Sequence, residues 1–197
     1  TNAEHLHGAR VLDLASHDGR WAFAALRAGA TFVQGVEARP ELVAHAHDNF
    51  SAYDTPKDKY DFVVADVVDF LNSPDNGRFD VVLNLGFFYH TLKHLEVIEG
   101  SARTGARAMI IDTAIAPTDD AAIILGWDDS SDPRHAIDHL THQHTKVPVG
   151  RVSAKALDML LAYAGYRNRE ISWAACDDFS ECDDYQSGAR RTFLALR

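Results

Sequence analysis

Apolar residues along this chain fall into two alternating periods. Short, mostly apolar runs recur at "ARVLDLA" (9–15), "TFVQGVEA" (31–38), "YDFVVAD" (60–66), "FDVVLNLG" (79–86) and "ARAMIIDTA" (106–114). Runs of that length read as strands buried on both faces. Between them lie segments of helical period. In "DGRWAFAALRAGA" (18–30), Trp21, Ala24, Ala25 and Ala28 recur at helical spacing and Gly29 supplies a stop. Pro40 suits the first turn of a helix running to about Phe50, and "TLKHLEVIEGSA" (91–102) is amphipathic. The turn residues "SPDNGR" precede the fourth strand. Strands alternating with helices predict right-handed crossovers, a parallel doubly wound sheet and a three-layer α/β/α architecture.

The pattern changes after residue 114. Residues 115–150 show no clean period and are rich in Asp, His and Pro, which predicts an insertion. "SAKALDMLLAYAGY" (153–166) reads as a helix capped by Ser153. "RNREISWAA" (167–175) and "RRTFLALR" (190–197) read as strands joined without room for a helix, hence antiparallel. The expectation is one domain over 1–197. It holds a seven-stranded Rossmann-like sheet whose last strand is antiparallel, and the insertion at about 115–150 covers the substrate.

In an open parallel sheet, ligands bind beyond the carboxyl ends of the strands. The residues just past each strand therefore form one candidate surface: Asp13 to Gly19, Glu37, Asp66 with Val67, Asn84 to His90, and Asp112. Glu37 ends the second strand, where an acid can bond both hydroxyls of a ribose. Asp66 ends the third strand and can accept from an adenine amino group. The loop Ala15–Gly19 brings backbone N–H groups and a helix start toward a ligand. Asp13 repels a pyrophosphate and suits a positively charged ligand instead.

Four stretches, "VLDLASHDG", "GVEARPELV", "VVADVVDFL" and "FDVVLNLGFFYHT", resemble in order and spacing the class I S-adenosylmethionine-dependent methyltransferases. The resemblance covers about residues 9–115, and the final helix and strand pair extend it to the end. It implies S-adenosylmethionine as cofactor, held by Asp13, Ala15, His17, Gly19, Glu37, Asp66, Val67 and Asn84. It points to the small-molecule O-methyltransferase branch, with a "GFFYH" loop similar to that of enzymes acting on a tRNA wobble uridine. The family's first loop is acid-x-Gly-x-Gly-x-Gly. Here Asp13 and Gly19 match, while Ala15 and His17 replace two glycines. Ala15 costs little if the backbone there stays at negative φ. His17 adds bulk and is expected to point outward or touch the ligand.

Methyl transfer to an alcohol needs a base, and His suits near-neutral pH. His90 follows the flexible Gly86; His142 and His144 close the insertion. These three are the catalytic candidates. Related enzymes place Mg²⁺ on carboxylates past the fourth and fifth strands. Asp112 fits the second place, but no carboxylate stands at the first, so a metal-free reaction is favoured.

Composition narrows the partners. The net charge is -10, and no Lys/Arg cluster supplies the positive footprint of a nucleic-acid binder. No run approaches the roughly 20 apolar residues of a membrane span. Cys176 and Cys182 alone make no disulfide framework and read as thiols of a reducing cytoplasm. The expected acceptor is a small polar molecule such as a sugar or specialised metabolite, methylated on oxygen by a cytoplasmic enzyme, with a homodimer as the expected assembly. The rivals are an RNA-modifying methyltransferase, a non-catalytic cofactor-binding relative and a nicotinamide oxidoreductase. The last needs G-x-G-x-x-G, which "ASHDGR" is not.

Overall fold

The computed structural model describes residues 2–74, 76–132, 134–136, 144–173 and 182–197. The elements run α1 (Ala3–Leu6), β1 (Arg10–Leu14), α2 (Arg20–Arg27), β2 (Phe32–Glu37), α3 (Pro40–Ala52), β3 (Tyr60–Val64), α4 (Val67–Asn72) and β4 (Val81–Leu85). Then follow α5 (His94–Arg103), β5 (Ala108–Ala114), β6 (Ile123–Asp129), β7 (Lys146–Val152), α6 (Ala154–Tyr163), β8 (Arg167–Ile171), α7 (Asp183–Gln186) and β9 (Arg190–Leu196). Seven strands form one mixed sheet in the order β3-β2-β1-β4-β5-β9-β8. The first four strands pair in parallel, and β8 pairs with β9 antiparallel. This is the Rossmann-like architecture expected of the sequence. Contacts group the chain into two compact units: residues up to Leu85 with Glu96–Met109, and Gly86–Leu95 with Ile110–Arg197.

In the first unit, Val11, Leu12 and Leu14 of β1, Val33 and Val36 of β2, and Val81 and Val82 of β4 are fully buried. That double-sided burial is why these strands read as continuous apolar runs. Helix α2 buries Ala22 and Ala25; Ala25 belongs to the stripe read from the sequence, whose first member, Trp21, lies half exposed. Helix α3 buries Leu42, Val43, Ala46 and Phe50. Phe50 joins Tyr60 and Phe62 in an aromatic cluster with ring centroids 4.5–5.7 Å apart. A Cβ on Gly35 would collide with the Phe62 ring, so this β2 position needs a residue without a side chain.

In the second unit, Ser153 caps α6, its hydroxyl accepting from the Ala156 N–H at 3.1 Å. That helix buries Ala156, Leu157 and Leu161, while β9 buries Phe193, Leu194 and Ala195. Two expectations are corrected here. The insertion holds an antiparallel hairpin, β6 with β7, in register Gly126↔Val149. Its first strand is exposed at Ile123, Ile124, Leu125 and Trp127 on successive positions, so it carries no inside–outside alternation to read. The segment between β8 and β9 does have room for a helix, the four-residue α7.

Candidate functional site

The first unit gathers its polar groups at the carboxyl ends of β1, β2 and β4. Beyond β1 the loop keeps a left-handed backbone at alternate residues: φ is 51° at Ala15, 51° at His17 and 82° at Gly19. Ala15 thus does not keep the negative φ at which alanine costs little. Hydrogen bonds set the loop, with Ser16 N–H donating to Val36 C=O at 3.0 Å and His17 N–H to Glu37 Oε2 at 3.1 Å. Two of the three glycines of the family pattern are lost while their conformation is retained. Gly19 stays because a Cβ there would lie 2.9 Å from Phe62 and 3.0 Å from Phe50. A left-handed backbone costs a residue with a side chain about 1–2 kcal/mol, partly offset by the extra freedom glycine gives the unfolded chain. Ala15→Gly and His17→Gly are each expected to stabilise the protein by about 0.5–1 kcal/mol in urea titrations. A loss of stability in both would show that the loop does not hold this conformation.

Glu37, almost wholly buried, bridges this loop to the start of α3, since Oε1 also accepts from Arg39 N–H at 3.0 Å. Asp13 is 1% exposed, and its Oδ2 has no hydrogen-bond partner among the described residues. Burial pushes its carboxyl up to about 8; a backbone N–H from Ala22 opposes this, and the charge of Glu37 adds to it. Ser16 Oγ and both polar atoms of the Asn84 amide are likewise buried and unpartnered. Orphaned buried groups of this kind are rare and costly in folded proteins. Here they cluster in sequence at the ends of two paired strands, with Asp13 opposite Leu83. Asp66 caps α4, its Oδ1 accepting from Val68 N–H at 2.8 Å and Asp69 N–H at 3.0 Å. Val67, the first residue of that helix, is buried.

The second unit holds a separate polar cluster. His90 ends a short 3-10 turn, Phe88–His90, and its Nδ1 is hydrogen-bonded to Asp128 on β6. Asp128 also accepts from Ala136 N–H at 3.0 Å, and the His135 ring lies 5.8 Å from the His90 ring. Both partners are largely buried, with side chains 11% and 12% exposed. Burial lowers the affinity of His90 for a proton, and this outweighs the opposing pull of Asp128. The imidazole is therefore neutral at pH 7, with Asp128 fixing its orientation. His144 is exposed, and its backbone carbonyl accepts from the Ser130 hydroxyl at 2.6 Å. His142 lies outside the described residues, as does Cys176.

Asp112 has a different role from the one its position suggested. Its Oδ1 accepts from Arg190 Nε at 2.5 Å, and its Oδ2 accepts from Thr192 Oγ1 at 2.5 Å and from the Tyr185 hydroxyl at 2.9 Å. Burial and the neighbouring carboxylate push the Tyr185 phenol up to about 12, so it remains a donor. A carboxylate engaged by a guanidinium and two hydroxyls is poorly placed to bind a cation. Among the described residues no group of three or more His, Cys, Asp or Glu side chains could hold a metal ion. Asp128, Tyr185 and Arg190 were not singled out in the sequence. The contacts they make join residues far apart in the chain, and no local motif marks them.

Residues 11–104 match the family described as a methyltransferase domain. No curated protein matches the chain. Among solved structures, the N-terminal domain of EvdMO1 with SAH bound shares 20% identity at a TM-score of 0.71, over 98% of this chain and 75% of that one. The same domain in the presence of SAH and D-fucose gives 20% and 0.70, over 98% and 79%. The Synechocystis magnesium protoporphyrin IX methyltransferase with bound SAM gives 16% and 0.62, over 98% and 72%. The YcgJ protein of Bacillus subtilis gives 16% and 0.69, over 100% and 94%. At these identities the structural likeness establishes a shared fold.

Proposed function

We propose that this chain, whose residues 11–104 match a methyltransferase domain family, is a class I S-adenosylmethionine-dependent methyltransferase that methylates an oxygen of a small polar acceptor such as a sugar. The cofactor is S-adenosylmethionine, and the first unit offers groups that fit it. The unpartnered Asp13 Oδ2, Ser16 Oγ and Asn84 amide suit the cationic, hydrogen-bonding methionine portion. Glu37 already accepts two backbone bonds, but a carboxylate has about four acceptor sites and can take ribose hydroxyls as well. The Val67 N–H, the first of its helix, suits the adenine edge, with the Asp66 carboxylate beside it. Gly19 keeps the loop beneath them close-packed, while Ala15 and His17 carry its left-handed turns.

When bound, the cofactor supplies an electrophilic methyl carbon on a positively charged sulfur. The chain must orient the acceptor and remove a proton from its attacking hydroxyl. The observation that carries an oxygen acceptor is the His90–Asp128 pair. Asp128 occupies Nδ1, which leaves Nε2 of a neutral imidazole to take that proton, and the carboxylate then stabilises the imidazolium that results. D-fucose in the crystals of the EvdMO1 domain supports a sugar as acceptor class. No helix among the described residues is long and apolar enough to cross a membrane, and we place the enzyme in the cytoplasm.

Changing His90 to Ala is expected to leave S-adenosylhomocysteine affinity unchanged and to lower kcat by about 10²–10⁴. Because burial lowers its proton affinity below the ordinary 6.5, the acidic limb of the parent rate profile should fall below that pH. Unchanged turnover in the variant, or an acidic limb above 6.5, would remove His90 from the reaction.

A further inference from the structure

Within the second unit lies a cavity of about 660 Å³, the size of a small-molecule site. Its walls are fixed by two backbone bonds: Ile115 N–H donates to Ala189 C=O at 2.8 Å, and Ala116 N–H to Val152 C=O at 2.9 Å. Tyr89, the residue before His90, lines it. So do four cations, Arg151, Lys155, Arg190 and Arg191, against two carboxylates, Asp119 and Asp184.

That balance runs against the rest of the protein, whose net charge is -10. Arg190 is neutralised by Asp112, and Arg191 makes a long, exposed contact of 3.5 Å to Glu170. Arg151 and Lys155 sit either side of the capped start of α6, exposed, with no ion pair among the described residues. The Ser153 cap bonds Ala156 N–H, so the N–H groups of Ala154 and Lys155 remain without a helical partner beside the same cavity. Two cations without an ion pair, a third weakly held one and a helix start make a half-open cavity of positive potential.

We infer that this cavity binds the acceptor through an anionic group, a phosphate or carboxylate borne by the sugar or metabolite, held by Arg151, Lys155 and Arg191. The inference rests on the methyltransferase reading for the word acceptor, whereas the anion site itself does not. A guanidinium and an ammonium in this arrangement select charge and leave the neutral part of the molecule toward Tyr89.

Calorimetric titration with pyrophosphate and, separately, succinate tests it, on the parent and on an Arg151→Gln/Lys155→Gln variant, with S-adenosylhomocysteine titrated into each as a control. The expected result is saturable binding of at least one anion to the parent, weakened at least tenfold in the variant, with S-adenosylhomocysteine affinity equal in both. Pyrophosphate binding alone identifies a phosphorylated acceptor, and succinate binding alone a carboxylated one. Binding of neither, or equal binding to parent and variant, overturns the inference. Failure of S-adenosylhomocysteine to bind the parent would count against the methyltransferase reading and leave the anion result standing.

Discussion

Asp13→Asn is expected to make the ligand-free protein more stable and, at the same time, weaken its hold on S-adenosylmethionine. The Asp13 carboxyl is buried, its Oδ2 is unpartnered, and it ionises near 8 in the folded chain against an ordinary 3.8. Below 3.8 both folded and unfolded chains hold the proton, and folding bears no cost from this group. Between 3.8 and about 8 only the folded chain holds it, so stability falls with rising pH by about 1.4 kcal/mol per pH step. Asparagine does not titrate. The gain from the substitution should be small at acid pH and grow to about 5 kcal/mol near pH 8, read by urea unfolding across that range. S-adenosylmethionine should lose more affinity than S-adenosylhomocysteine, because both carry an α-ammonium group but only the donor adds a positive charge on sulfur. A gain that does not change with pH would contradict this account of Asp13.

The other large effect concerns Asp112. Removing it by Asp112→Ala leaves the Arg190 guanidinium partly buried without its counter-charge and leaves Tyr185 and Thr192 hydroxyls without their acceptor. Breaking a buried pair from one side costs about 3–5 kcal/mol, while replacing both partners with apolar residues often costs much less. Asp112→Ala is therefore expected to lower stability by about 3–5 kcal/mol, and an Asp112→Leu/Arg190→Met double variant to recover much of that. Additive losses in the two single variants and the double would show that the pair does not act as a unit.

The parts of the fold legible in the sequence are those whose burial imposes a period. Strands β1, β2, β4 and β5 are largely buried on both faces and could be read as apolar runs, while the edge strand β3 buries Tyr60 and Phe62 and exposes Asp61 and Val64. The β6–β7 hairpin could not, because its first strand is exposed on both faces and local propensity alone does not distinguish it from a loop. The four-residue α7 has no amphipathic stripe to betray it. In the site, Asp13, Glu37 and Asn84 were marked by strand ends, since the topology of a parallel sheet fixes where such residues gather. Ala15 and His17 misled because residue type suggested a relaxed loop, whereas the bonds from Ser16 and His17 to β2 hold the left-handed turns. Asp128 meets His90 across 38 positions, and Arg190 meets Asp112 across 78. Pairings of that range depend on the completed fold and leave no spacing to recognise.

The central claim is that the first unit holds S-adenosylmethionine through the groups at the ends of β1, β2 and β4. Its most direct test is calorimetric titration of S-adenosylhomocysteine into the parent protein and into Glu37→Ala. Micromolar binding that weakens at least tenfold in the variant, about 1.4 kcal/mol, is the expected result, because Glu37 is the proposed ribose ligand and because its carboxylate ties the loop through His17 N–H. No binding to the parent, or equal binding to both proteins, would contradict the account.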